Sequence, residues 1–129
     1  MALLIPVLAP LMLGIIEVGR YAELSIAVAN AARAGVQYGV QNLADAGDTV
    51  GIQNAATYDA PAIPPSGVVS SLACYCSGAA CTASPCSAPN TEVVYLMVTT
   101  TGTFTPLFRY PGLPSLTTVN STAQMRVAQ

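Results

Sequence analysis

MALLIPVLAPLMLGII, Met1–Ile16, decides how the chain is read, because it runs sixteen residues without a charge. As an α-helix it spans roughly 24 Å, a little short of the roughly 30 Å hydrocarbon core of a bilayer. A signal peptide would show a basic start and a small-residue cleavage site after the apolar stretch. Neither is present, and the run flows straight into a longer helical pattern. It also lacks a polar start, so the full apolar span is expected to be longer than these residues. Pro6 and Pro10 each remove a backbone donor and crowd the carbonyl four residues back. The segment Ala2 to Pro10 is therefore expected to be kinked or loosened, which neighbouring helices can compensate.

The helical pattern continues from Gly14 to about Leu43, but its character changes. Ala22, Ser25, Ala27, Ala29, Ala31, Ala32, Ala34, Gly35 and Gly39 are small, and small residues let helix backbones approach closely. Tyr21, Leu24, Val28 and Tyr38 interrupt them at helical spacing. Glu17, Arg20 and Glu23 follow one another at i, i+3 and form a charged ridge. The whole reads as one helix of about 40 residues and roughly 60 Å, too long for the core of so small a domain. Burial of one leucine-sized side chain is worth roughly 1.5–3 kcal/mol, and such a rod carries about a dozen. Either the rod bundles with other helices, or it is a membrane anchor with a rigid stalk.

Beyond it, Ala44 to Gly47 is expected to break the helix, with Gly47 as a stop. Asp48 or Thr49 offers an N-cap for a short helix through about Thr57. Ala60 to Gly67, APAIPPSG, is a turn-rich linker. Val68–Cys76, Glu92–Phe104 and Leu116–Val127 read as strands, the second being the richest in β-branched and aromatic residues. Thr105 to Pro114 holds three prolines and is expected to be a loop. The segments divide as 1–44 for the membrane or polymerisation helix, 45–66 for the short helix and linker, and 67–129 for a β-rich extracytoplasmic head. The fold class is α+β: a long helix, a short helix and an antiparallel sheet of three or four strands.

Composition narrows the function. The 129 residues include four arginines, six acids, no lysine, no histidine and no tryptophan, and the net charge is −2. Charged residues make up 8%, against roughly 25% in soluble domains. Without histidine or lysine the commonest general base and Schiff-base nucleophile are missing. Four scattered arginines form no basic stripe, so nucleic acid is not an expected partner. Asp45, Asp48 and Asp59 flank the short helix, where aspartate caps or turns the chain. Serine and threonine hydroxyls have no base beside them. The chain reads as a non-enzyme without cofactor or bound metal.

Cys74, Cys76, Cys81 and Cys86 fall within thirteen residues. Structural zinc sites favour C-x2-C pairs, and the first spacing here is one residue. Two disulfides in an oxidising compartment are the preferred reading over zinc or free thiols. A Cys74–Cys76 bond would be strained. That leaves two practical connectivities, of which the nested one, Cys74–Cys86 with Cys76–Cys81, suits a hairpin. Asn120-Ser121-Thr122 is a glycosylation sequon, of a kind that also arises by chance.

ALLIPVLAPLMLGIIEVGRY, Ala2–Tyr21, followed by NAARAGVQYG, Asn30–Gly39, resembles the TadE-like family of the tight-adherence (Tad) pilus systems. EVVYLMV at Glu92–Val98, FTPL at Phe104–Leu107 and STAQMRV at Ser121–Val127 carry the resemblance at the other end. The family has a glutamate just before a position like Met1, whereas the first acid here is Glu17. The resemblance implies a type IV pilin-like protein, cut by a prepilin peptidase and packed through its N-terminal helix. TadE-like proteins are usually regarded as minor pilins or pseudopilins.

The resulting expectation is a structural subunit of an extracellular Tad-like pilus, with an inner-membrane stage before assembly. Its partners would be copies of itself, other pilins, the assembly machinery and, before assembly, the membrane. Leu4, Leu8, Leu11, Leu13, Ile15, Ile16, Glu17, Arg20, Tyr21, Leu24 and Val28 are the expected helix-assembly residues. Glu17 and Arg20 are expected to pair, within the subunit or between neighbours, and set axial register. Two alternatives stand beside this: a minor pilin or pseudopilin retained in the inner membrane, and a membrane-anchored binding module.

Overall fold

A computed structural model describes residues 5–81, 86, 92–107 and 117–128. Helix α1 runs over Ile5–Gly39, α2 over Leu43–Gly47 and α3 over Thr49–Asp59, and a 3-10 turn covers Pro65–Gly67. Strands β1 (Val68–Cys76), β2 (Ala79–Ala80), β3 (Glu92–Phe104) and β4 (Thr117–Arg126) follow. They form one antiparallel sheet in the order β2-β1-β3-β4. The architecture is the expected α+β arrangement of a long helix, a short helix and a small antiparallel sheet.

The helix α1 passes through Pro10 without interruption. Pro6 lies in its first described turn. Ala2 to Leu4, the rest of the stretch expected to be loosened, lies outside the described residues, as does the assembly candidate Leu4. The helix stops at Gly39, before the expected Leu43. The segment expected only to break the pattern forms α2 instead. Asn42 caps it by accepting a hydrogen bond from the Asp45 N–H at 2.9 Å. Asp48 then caps α3, accepting from the Gly51 N–H at 2.9 Å, as the sequence indicates.

The core lies between the C-terminal half of α1, helix α3 and one face of the sheet. Val28, Ala31 and Val36 of α1 meet Ile52 and Ala56 of α3 and Val94, Leu96 and Val98 of β3. Much of the small-residue stripe is used here, inside the chain, rather than against other subunits. A Cβ on Gly39 would run into Leu96 and would press on Ile52 at 3.1 Å. On β3, a Cβ at Gly102 would lie 2.8 Å from Val28 and 3.1 Å from Leu24. Glycine at both positions lets helix and sheet close together. The buried Thr100 hydroxyl donates to the Val28 carbonyl at 2.6 Å, fastening β3 to the middle of α1.

The expected linker is also part of this core. Ala60 and Ile63 are buried, the latter almost completely, while the prolines around them face solvent. At the far end, the Val127 N–H donates to Val94 and the Ala128 N–H to Val40, tying the end of β4 to both β3 and the exit of α1.

The β1–β2 hairpin corrects the disulfide pairing. Ser77 and Gly78 take φ values of 50° and 91°, the left-handed pair that a tight hairpin turn requires. This turn puts Cys76 opposite Ala79 and Tyr75 opposite Ala80, so Cys81 arrives beside Cys74. The Cys81 N–H donates to the Cys74 carbonyl at 3.1 Å. The bonds are Cys74–Cys81 and Cys76–Cys86, interleaved rather than nested.

Candidate assembly helix

The N-terminal half of α1 leaves the head and meets little of the chain. Leu8, Leu11, Met12, Ile15, Ile16 and Val18 are all half exposed or more, reaching 68% at Val18. Leu13 is partly covered. At about 100° per residue these side chains cover a little over half of the helix, and Ala9, Pro10 and Gly14 take the rest, so up to Ile16 the segment has no polar face to turn to water. A helix apolar on every side is one that other groups bury. Two of the expected assembly residues are not available for that. Val28 is fully buried and Leu24 packs against the core of the head, because β3 crosses α1 at that level.

A collar separates the bare stem from the head. Glu17 is 9% exposed, although Ile16, Val18, Arg20 and Tyr21 beside it lie open. Its Oε1 accepts a hydrogen bond from the Leu107 N–H at 2.6 Å, and its Oε2 lies 3.6 Å from the Arg20 guanidinium. Arg20 also sits over the Phe104 ring, 5.6 Å from its centroid. Tyr21 meets the same ring edge-on at 5.5 Å and 89°. The expected Glu17–Arg20 pair thus forms within the chain, and the end of β3 closes round it. Glu23, third on the ridge, is exposed.

Sequence reasoning missed the contact of Phe104 and Leu107 with the stem. An aromatic closing a long strand, shortly before a proline, was the available signal. Much of Thr105–Pro114 lies outside the described residues.

Tyr38 and Asp48 form a second small polar cluster, at the opposite end of α1. The tyrosine hydroxyl donates to Asp48 Oδ2 at 3.1 Å. The Gly51 N–H and this hydroxyl hold the Asp48 carboxyl below the usual carboxylate range. The same bond, with added desolvation and the nearby negative charge, pushes the Tyr38 hydroxyl up. This is capping chemistry at the start of α3.

The Cys76, Cys81 and Cys86 sulfurs lie within 4.8 Å of one another, and Cys74, Cys81 and the Glu92 carboxylate make a second such group. Once reduced, these residues offer a thiolate set of the kind zinc takes. In the structure the four sulfurs are joined in pairs. The Cys86 N–H donates to Glu92 Oε2 at 3.3 Å, holding the loop to the start of β3. Asn120 is exposed on β4, and Thr122 of its sequon shares a hydrogen bond of 2.9 Å with Thr99.

The expected transmembrane helix is not supported. Among the described residues, no helix is long and apolar enough to cross a membrane. Glu17, Arg20 and Glu23 interrupt the apolar run after Ile16.

No curated protein and no solved structure matches the chain. The stem and the following turns, residues 1–37, match the family model described as TadE-like protein, the family that the sequence resembles.

Proposed function

We propose that the chain is a pilin-like structural subunit that packs through the bare half of α1 into a Tad-type pilus filament. The observation that carries this reading is the stem from Leu8 to Val18, apolar round most of its circumference and left largely uncovered by the described residues of its own head. The family match over the same residues supports it. Leu8, Leu11, Leu13, Ile15 and Ile16 are the proposed contacts with sister stems. The mechanism is burial of apolar helix surface, first against lipid in a membrane-associated stage and then against neighbouring helices.

In this arrangement the partners are copies of the chain, other pilins and the assembly machinery, and the location is the cell surface. Glu17 and Arg20, which the collar already pairs, keep the one charged level of the stem from facing the filament core bare. The reading involves no turnover.

Electron microscopy and subunit quantification of sheared surface fibres test this. The chain is expected as an abundant component, lost from the fibres when Leu11 and Ile15 are both changed to serine. A trace amount beside a different abundant pilin would assign it instead to a minor pilin that aids assembly from the inner membrane. A compact monomer in detergent-free buffer, with the stem folded onto its own head, would overturn both.

A further inference from the structure

The face of the sheet turned away from α1 carries a feature that packing among the described residues does not use. Side chains alternate along β3, so Val94, Leu96, Val98 and Thr100 enter the core while Val93, Tyr95, Met97 and Thr99 face outward. Tyr95 lies opposite Ala73 on β1 and Arg126 on β4. Tyr75 lies opposite Val93, one diagonal step from Tyr95. The two tyrosine rings meet at 5.7 Å and 83°, forming a corner rather than a flat stack. With Val93, Gly78 and Gln124 they line an open hollow of about 390 Å³. That lies in the size range of small-ligand sites, roughly 300–1,000 Å³.

The chemistry of this hollow is selective. Arg126 is the only base in the four strands, and Glu92 the only acid. Glu92 shares its parity along β3 with the core residues and accepts a bond from the Cys86 N–H. Over the four strands the outer face is therefore cationic and free of acids, on a chain whose net charge is negative. β3 is central, and its backbone groups are engaged by β1 on one side and β4 on the other. Across the tyrosine corner no main-chain ladder is open, and strand addition of a peptide would have to use the outer edge of β4 instead. A ligand must be held by ring faces and side-chain hydrogen bonds alone.

We propose that Tyr75, Tyr95, Gln124 and Arg126 form a binding site for an acidic saccharide. The C–H face of a pyranose lies on a tyrosine ring, whose π cloud is negative. The Gln124 amide offers both a donor and an acceptor for sugar hydroxyls. Arg126 takes the carboxylate of a uronate-type sugar through its planar fork. Thr99 and Thr122, bonded to each other on the same face, extend a hydroxyl rim beside it. The site belongs to the head and does not depend on filament assembly.

Titration of the full chain in detergent with digalacturonate and with its dimethyl ester, followed by tyrosine fluorescence or NMR shifts, tests the assignment. The acid is expected to bind saturably, about tenfold more tightly than the ester, with the difference shrinking at high salt. R126Q removes the preference for the acid. Y95A abolishes binding of both sugars, and Y95F retains it, separating the ring face from loss of fold. The proposal is overturned by no saturable response, by equal affinity for acid and ester, or by unchanged binding in Y95A. It is also overturned if an oligoglutamate peptide binds as tightly as the uronate. None of these outcomes depends on whether fibres form.

Discussion

The Leu107 N–H reaches across ninety residues of sequence to the carboxylate of Glu17, at 2.6 Å. A hydrogen bond between a charged acceptor and a backbone donor is among the stronger kinds, and here the acceptor is nearly enclosed. It fixes where the head ends and the stem begins. E17A removes the acceptor and is expected to destabilise the head–stem junction by about 1–3 kcal/mol. Hydrogen exchange at Leu107 and proteolysis after Phe104 should both rise. E17Q keeps a neutral acceptor for the Leu107 N–H while losing the charge assistance and the attraction to Arg20, so its effect should fall below that of E17A. Equal protection of Leu107 in wild type and E17A would remove the collar from this account.

Glycines on α1 should respond in opposite directions. G39A forces a methyl into Leu96 and Ile52 and is expected to lower stability by about 1–3 kcal/mol. At Gly14 and Gly19 an added methyl would meet no described atom within 4 Å. G14A and G19A should leave the head's thermal midpoint unchanged or raise it slightly, by the helix propensity gain of roughly 0.5–1 kcal/mol. The same two variants report on the filament. If sister stems approach closely at these glycines, fibre yield falls although the isolated chain is no less stable.

The Tyr38–Asp48 bond gives stability a plateau with two shoulders. The Asp48 carboxyl titrates lower in the folded chain than in the unfolded one, so its contribution is complete above the ordinary aspartate range and fades as pH falls through the folded value. The Tyr38 hydroxyl titrates higher when folded, so its contribution is complete below the ordinary tyrosine range and fades as pH rises through the folded value. Thermal unfolding across pH should show both shoulders. D48N, which keeps a capping oxygen, should flatten the acid shoulder. Y38F should remove the alkaline one and leave most of the acid one, since the Gly51 N–H remains.

Peptide mapping without reduction should recover Cys74 joined to Cys81 and Cys76 joined to Cys86. Each closes a short loop, and loop-closure entropy assigns each about 2–3 kcal/mol. The C76S/C86S pair should leave the β1–β2 hairpin and the first bond intact, because strand register holds Cys81 beside Cys74. Recovery of Cys74–Cys86 as the dominant species would show that hairpin register does not govern oxidation.

Local patterns were legible in the sequence, and contacts between distant segments were not. β1 and β3 follow from their β-branched and aromatic runs, and α3 from the Asp48 cap, because each signal lies within a few residues of its effect. The apolar Leu8–Ile16 stretch was equally plain. The uses of Leu24, Val28, Gly35 and Gly39 were hidden, since a small or apolar residue on a helix looks the same whether it faces its own sheet or a neighbour's helix. The interleaved cysteines were missed for a narrower reason. Pairing depends on a two-residue turn at Ser77–Gly78, and serine is an uncommon choice for a left-handed backbone. Leu107 bonding to Glu17 has no local signature.

The Thr100–Val28 bond has a practical corollary for anyone who wants the head in solution. Val28, Ala31 and Val36 wall the interior, so a fragment that begins after the helix would expose the inner surface of β3 and should not fold. Trimming has to stop just before Glu17, keeping the turns that meet Leu107 and Phe104 and discarding only the bare shaft. The greasy shaft and the head's inner wall are one continuous helix. A soluble fragment therefore has to be cut within α1, between its two roles, and cannot be made by deleting it.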